Sequence, residues 1–150
     1  MVRILKFIGL ITIILCLGVG IQFLRLHDLG ARPEVQVDTA YLNEGVQFVE
    51  ANGLRFGYIE EGSGPLILLL HGYPETARSW RPVQIQLAAN GFRTVAVFMR
   101  GYAPTALASD YSVRSLGQDA IALIRALGEE TATVVGHDWG ASAALSLIPI

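Results

Sequence analysis

Residues 136–140 read Gly-His-Asp-Trp-Gly and follow a short β-branched run at 131–135. Asp138 therefore stands where a strand turns sharply into a helix, with Gly136 and Gly140 allowing the tight turn and the close approach of helix to strand. A carboxylate with a reference pKa of about 3.9 is ionised near neutrality and needs no base before it attacks, whereas a serine hydroxyl in the same place does. Its natural target is a saturated electrophilic carbon, and the product is an ester between that carbon and Asp138. Water must then hydrolyse the ester. The oxyanion of that second step forms on the aspartate's own carboxyl, so backbone N–H groups have to point back at the bend. The competing role is a plain helix N-cap, for which aspartate is a common choice.

The elements that must hold this bend alternate along the chain. Residues 46–49 and 54–60 are two strand-like runs joined across Asn52-Gly53, a pair suited to a hairpin turn. Residues 66–70 are continuously apolar, as expected for a central parallel strand covered on both faces. After His71-Gly72-Tyr73-Pro74, Pro82 marks the first turn of a helix that carries Val83, Ile85, Leu87 and Ala88 and stops at Asn90-Gly91. A strand at 94–98 and a loop at 100–111 follow. Ser112 can then cap a helix whose apolar positions Val113, Leu116, Ala120, Leu123 and Leu127 share one face, ended by Gly128. With 131–135 as the next strand and 141–147 as the next helix, the pattern is that of an α/β sheet.

The 150-residue chain is 52% apolar, enough for the core of one domain, with 11 Lys+Arg against 13 Asp+Glu. Its mean hydropathy of +0.46 is raised by the N-terminus; setting aside Arg3, Lys6 and Arg25 leaves 8 basic side chains against the 13 acidic ones. Such an acidic remainder, with no basic cluster, argues against nucleic-acid binding. Cys16, the single cysteine, supports neither a disulfide nor a cysteine-ligated metal site. No glycine-rich phosphate loop follows any strand, so a dinucleotide-binding domain is disfavoured and no metal or organic cofactor is expected.

Residues 7–24 contain 18 uncharged positions interrupted only by Thr12 and Gln22. As a helix they would span about 27 Å, just enough to cross a bilayer. A secretory signal is the competing reading, with a weak cleavage site at Gly18-Val19-Gly20, and a start codon set too early is another. The apolar run continues through Ile21, Phe23 and Leu24, which favours an uncleaved single transmembrane helix. The expected organisation is a membrane anchor at 1–27 touching the lipid bilayer through 7–24, a linker at 28–43 and a catalytic-type core at 44–150. Arg3 and Lys6 are nearly balanced by Arg25 and Arg32 across the segment, and the expectation leans to a globular part outside the cytoplasm.

Three motifs in order, His71-Gly72-Tyr73-Pro74, Arg100-Gly101-Tyr102 and residues 136–141 (GHDWGA), resemble the α/β-hydrolase superfamily and most closely its epoxide hydrolase branch. The resemblance covers residues 44–150. It implies the N-terminal half of an α/β-hydrolase sheet, an antiparallel hairpin and then parallel strands with flanking helices. It implies Asp138 as nucleophile and two oxyanion donors, the N–H of Tyr73 and the N–H of Trp139. His71, Gly72 and Pro74 then belong to the oxyanion loop, and Gly136, His137 and Gly140 to the nucleophile turn, all in structural roles. Arg100 is expected to be a surface or loop-anchoring residue. Tyr102 and the Trp139 side chain are expected to fill a pocket wall, Trp139 with substrate contact as the alternative.

The implied substrate is a small apolar electrophile, an epoxide or an alkyl halide. Haloalkane dehalogenases carry an asparagine at the position of Tyr73, and fluoroacetate dehalogenases carry arginines at the positions of Trp139 and Ser142, so the resemblance favours the epoxide. Residues 98–105 depart from the family in lacking an acidic residue before Arg100 and a glycine after Tyr102. The family's cap domain, second acid and histidine base come after the nucleophile helix. The expectation is accordingly a truncated, catalytically incomplete enzyme, with a non-catalytic membrane-anchored remnant as the alternative.

Overall fold

The computed structural model describes residues 44–147. The anchor expected at 1–27 and the linker at 28–43 lie outside the described residues, among which no helix is long and apolar enough to cross a membrane. Five strands form one mixed sheet in the spatial order β1-β2-β4-β3-β5. The hairpin consists of β1 (Gln47–Ala51) and β2 (Leu54–Glu61). Asn52 and Gly53 turn it with φ of 46° and 73°, the left-handed pair that matches the twist of two-residue hairpins. β2 runs antiparallel to β4 (Arg93–Val97), while β3 (Leu66–Leu70) lies between β4 and β5 (Thr133–Gly136), parallel to both.

Every residue of β3 is buried. Leu66, Leu68 and Leu70 enter one apolar cluster with Phe56, Val97 and Leu123, and Ile67 and Leu69 enter another with Ile59, Ala96 and Phe98. A strand packed on both faces has no polar side to alternate with, which explains the unbroken apolar run. Fully burying Leu68 and Leu69 contributes about 1.5–3 kcal/mol each.

Among the described residues, three helices cover the sheet. On one face lies α1 (Arg81–Ala89), with Pro82 in its first turn, preceded by a 3-10 turn at Ala77–Trp80. Its buried residue is Gln84, whereas Val83 and Ile85 are exposed. Its amide nitrogen is accommodated by donating to the carbonyl of Ile59 at 3.0 Å and to Thr94 Oγ1 at 3.3 Å, while no hydrogen bond to its Oε1 is made by the described residues. On the other face lie α2 (Val113–Ala126) and α3 (Trp139–Leu145). Ser112 caps α2 by accepting the Ser115 N–H at 3.3 Å, and Leu116, Ala120, Leu123 and Leu127 are buried while Val113 is exposed.

The last strand and helix are displaced from their expected bounds. β5 pairs with β3 from Thr133 to Gly136 rather than over 131–135. α3 starts at Trp139 rather than 141, because a single residue, Asp138, makes the whole reversal from strand to helix.

Candidate active site

Because β3 and β5 are parallel neighbours, their C-terminal ends open on the same edge of the sheet and bring residues 71–74 against residues 137–139. The pairing extends one step past β5, with the His137 N–H donating to the Leu70 carbonyl at 3.1 Å. Asp138 follows at φ 52° and ψ −115°, a left-handed conformation uncommon for a residue with a side chain. The Gly140 N–H closes the turn on the His137 carbonyl at 2.9 Å. A Cβ on Gly140 would stand 2.0 Å from the Leu70 carbonyl oxygen, so this glycine is needed for the approach of helix to sheet.

Asp138 occupies the cap position of α3, yet its side chain makes no cap hydrogen bond. Oδ1 instead accepts the N–H of Tyr73, across the gap from the other loop, at 2.9 Å. The carboxyl is thereby held below its ordinary value of 3.8, by the Tyr73 N–H first and the Trp139 N–H second, against a small desolvation effect. Hydrogen bonds to the charged form favour that form. The fit of the two loops is tight: a Cβ on Gly72 would lie 2.3 Å from the Cβ of Asp138 and 2.6 Å from its Oδ1. Pro74 follows Tyr73 through a cis peptide bond.

Asp138 faces solvent, and the side chains of Tyr73 and Trp139 are 71% and 49% exposed. The described residues thus build the floor of a site that is open above. The arrangement suits attack by a carboxylate on an incoming carbon, followed by stabilisation of charge on the same group.

His71 is fully buried beneath this floor. Its Nδ1 lies 2.9 Å from the Gly72 carbonyl, which only accepts, and its Nε2 lies 3.2 Å from the Met99 N–H, which only donates. The imidazole is therefore neutral with its proton on Nδ1. Burial pushes its pKa down, opposed by the Gly72 hydrogen bond and by Glu75. The Tyr102 ring meets it edge-on at 4.5 Å, so Tyr102 packs against the histidine under the loop. His137, by contrast, is exposed, with Nδ1 3.8 Å from Glu75.

Arg100 is not a surface residue. It is buried and forms a two-pronged pair with Asp119, Nε to Oδ2 and Nη2 to Oδ1 both at 2.6 Å, and it also donates to the Asp110 carbonyl. It anchors the loop that carries Tyr102. Asp119 was missed in the sequence, although a signal was present. It sits three residues after Leu116 and next to Ala120, on the apolar stripe of α2, where a carboxylate requires a cationic partner. Among the described residues no group of three His, Cys, Asp or Glu side chains is placed to hold a metal ion.

Residues 65–148 match the family described as the alpha/beta hydrolase fold, and the chain belongs to that family. It is 42% identical over 120 residues to epoxide hydrolase 3 of Xenopus tropicalis, a match covering 76% of this chain and 32% of that protein. It is 38% identical over 125 residues to bifunctional epoxide hydrolase 2 of Sus scrofa, covering 81% of this chain and 22% of that one. Among solved structures, an epoxide hydrolase from Vigna radiata superposes with a TM-score of 0.64 at 39% identity, covering 67% of this chain and 34% of its own. A single-residue variant of epoxide hydrolase from Solanum tuberosum gives 0.65 at 42% identity, covering 68% and 34%. The chain therefore spans between about a fifth and a third of the curated relatives it matches.

Proposed function

We propose that Asp138 is the nucleophile of an epoxide hydrolase-type reaction. The observation that carries this reading is the Asp138 carboxylate, turned away from its own helix at positive φ and held ionised by the N–H of Tyr73 at 2.9 Å. The likeness to proteins named epoxide hydrolases supports an epoxide as the electrophile. A carboxylate oxygen attacks one epoxide carbon, the carbon–oxygen bond of the ring breaks, and the released alkoxide takes a proton from water. The product is an ester of Asp138. When water then attacks the ester carbonyl, the developing oxyanion is stabilised by the N–H groups of Tyr73 and Trp139.

The two described histidines supply no base for that second step. His71 is buried with both ring nitrogens engaged, and His137 stands beside Glu75. The reading therefore expects the ester to accumulate on this chain. Incubation with styrene oxide followed by intact-mass measurement should show one adduct per chain, located on Asp138 by peptide mapping, and none on Asp138→Asn. No adduct overturns the nucleophile; steady multiple turnover overturns the accumulation. A primary alkyl chloride in the same assay tests the halide alternative. We further infer that residues 7–24 hold the chain at a bilayer with the folded part outside the cytoplasm. Release of the chain from membranes by alkaline washing overturns the anchor, and labelling of the folded part by a biotin ligase confined to the cytoplasm overturns the orientation.

A further inference from the structure

We propose that His71 is a positioning residue that aims and polarises the Tyr73 N–H toward Asp138. The inference deepens the reading of Asp138 as nucleophile and rests on it for its catalytic consequence. The geometry rests on one peptide unit. The carbonyl of Gly72 and the N–H of Tyr73 belong to the same planar group, which is trans and so points them in opposite directions. The carbonyl accepts the His71 Nδ1–H at 2.9 Å, and the N–H donates to Asp138 Oδ1 at 2.9 Å. Fixing the first therefore fixes the direction of the second.

The histidine is itself fixed from behind. Its Nε2 accepts the Met99 N–H at 3.2 Å, just beyond the end of β4, and the edge contact with Tyr102 holds the plane of the ring. Donors thus follow one another in a single direction: Met99 N–H to imidazole, imidazole to the Gly72–Tyr73 peptide, peptide to carboxylate. Hydrogen bonds in such a chain polarise one another, by about 10–30% per bond in condensed-phase estimates. His71 and Met99 are buried, at 0% and 5% exposure, so water does not compete for the two bonds that the imidazole makes.

Two substitutions separate positioning from packing. His71→Asn places a donor where Nδ1 lies and keeps the link to Gly72. His71→Gln places its amide near Nε2 and keeps only the link to Met99. The Asp138 carboxyl is to be titrated by carbon-13 NMR in the 150-residue chain and in both variants. The Asn variant should hold the carboxyl low, as in the parent, while the Gln variant should let it rise toward the ordinary carboxylate range. Equal titration in all three chains overturns the proposal. Should either variant fail to fold, nitrogen-15 magic-angle-spinning NMR of the parent chain decides. It should show His71 protonated on Nδ1 alone, with a coupling across the hydrogen bond to the Gly72 carbonyl; a proton on Nε2 overturns the proposal. These readouts need no substrate. An absent styrene oxide adduct with the expected titrations removes the nucleophile reading and leaves the His71 linkage standing, and the converse result removes only the linkage.

Discussion

Asp119 gives both carboxylate oxygens to the guanidinium of Arg100 at 2.6 Å and shares Oδ1 with the Asn52 amide at 2.7 Å, in a setting that leaves it 4% exposed. Asp138 is open to solvent and takes a backbone hydrogen bond from the N–H of Tyr73, with the Trp139 N–H next to it also favouring the charged form. The two carboxylates differ in what a ligand could reach, and under the proposed function that difference separates a structural acid from a reactive one. A cation that occupies both oxygens neutralises the charge and blocks approach, and burial leaves no room for a substrate. Backbone donors stabilise the charged form equally well in kind, yet they are fixed by the fold and leave the group accessible. The same donors can then follow the charge as it moves from carboxylate to oxyanion.

Crowding Asp138 through its neighbour tests the accessibility of its carboxylate most directly. In Gly72→Ala the new methyl would lie 2.3 Å from the Asp138 Cβ, so the carboxylate must move out of line with the Tyr73 N–H. Displacement of a reacting group by about 1 Å costs about a hundredfold in rate. Single-turnover adduct formation with styrene oxide should fall by that factor, while the Arg100 and Asp119 pair stays intact. An unchanged rate would show that the close contact between the loops is not what holds the nucleophile.

The corresponding change at the buried acid should act on stability. Asp119→Ala leaves the Arg100 guanidinium buried without its partner, and removing one member of a buried pair costs about 3–5 kcal/mol. Denaturant unfolding of the parent and variant chains measures it. A loss below about 1 kcal/mol, the range of exposed pairs, would mean that Arg100 finds solvent or another acceptor. Adduct formation by the fraction that remains folded should continue, since Asp119 does not touch Asp138.

The turn that carries Asp138 was legible in the sequence and the buried pair at Asp119 was not. Asp138 lies inside a local pattern, a strand run, two flanking glycines and a helix, and local patterns are visible in a linear chain. The hairpin turn at Asn52-Gly53 and the apolar run of β3 were legible for the same reason. Asp119 and Arg100 are separated by 19 residues and meet only because a loop folds back over α2. Gln84 is a similar case: its burial depends on carbonyls in β2 and β4, and nothing in the spacing of its own helix reveals them. The imidazole of His71 belongs to this group too. Its motif was readable, but its hydrogen-bond partner at Met99 lies 28 residues away.

A change of pH separates Asp138 from the histidine beneath it. Burial lowers the pKa of His71, so the unfolded chain binds a proton more readily than the folded one. Stability is then greatest above the ordinary histidine value of 6.5 and declines as pH falls below it, until the folded-state value is reached. Glu75 and the Gly72 hydrogen bond, which favour the charged ring, moderate the decline. Asp138 behaves oppositely in range. Its lowered carboxyl contributes stability above 3.8, lost only as pH falls through its still lower folded value, and it stays mainly ionised in the folded chain throughout the interval from 6.5 to 3.8. Between those limits the unfolding free energy should fall modestly while the adduct rate of the folded fraction stays flat. Parallel unfolding and single-turnover measurements across that interval check this. A rate that falls with stability from pH 6.5 downward would place the controlling titration on a histidine, and the backbone-held carboxylate would no longer be the group that sets reactivity.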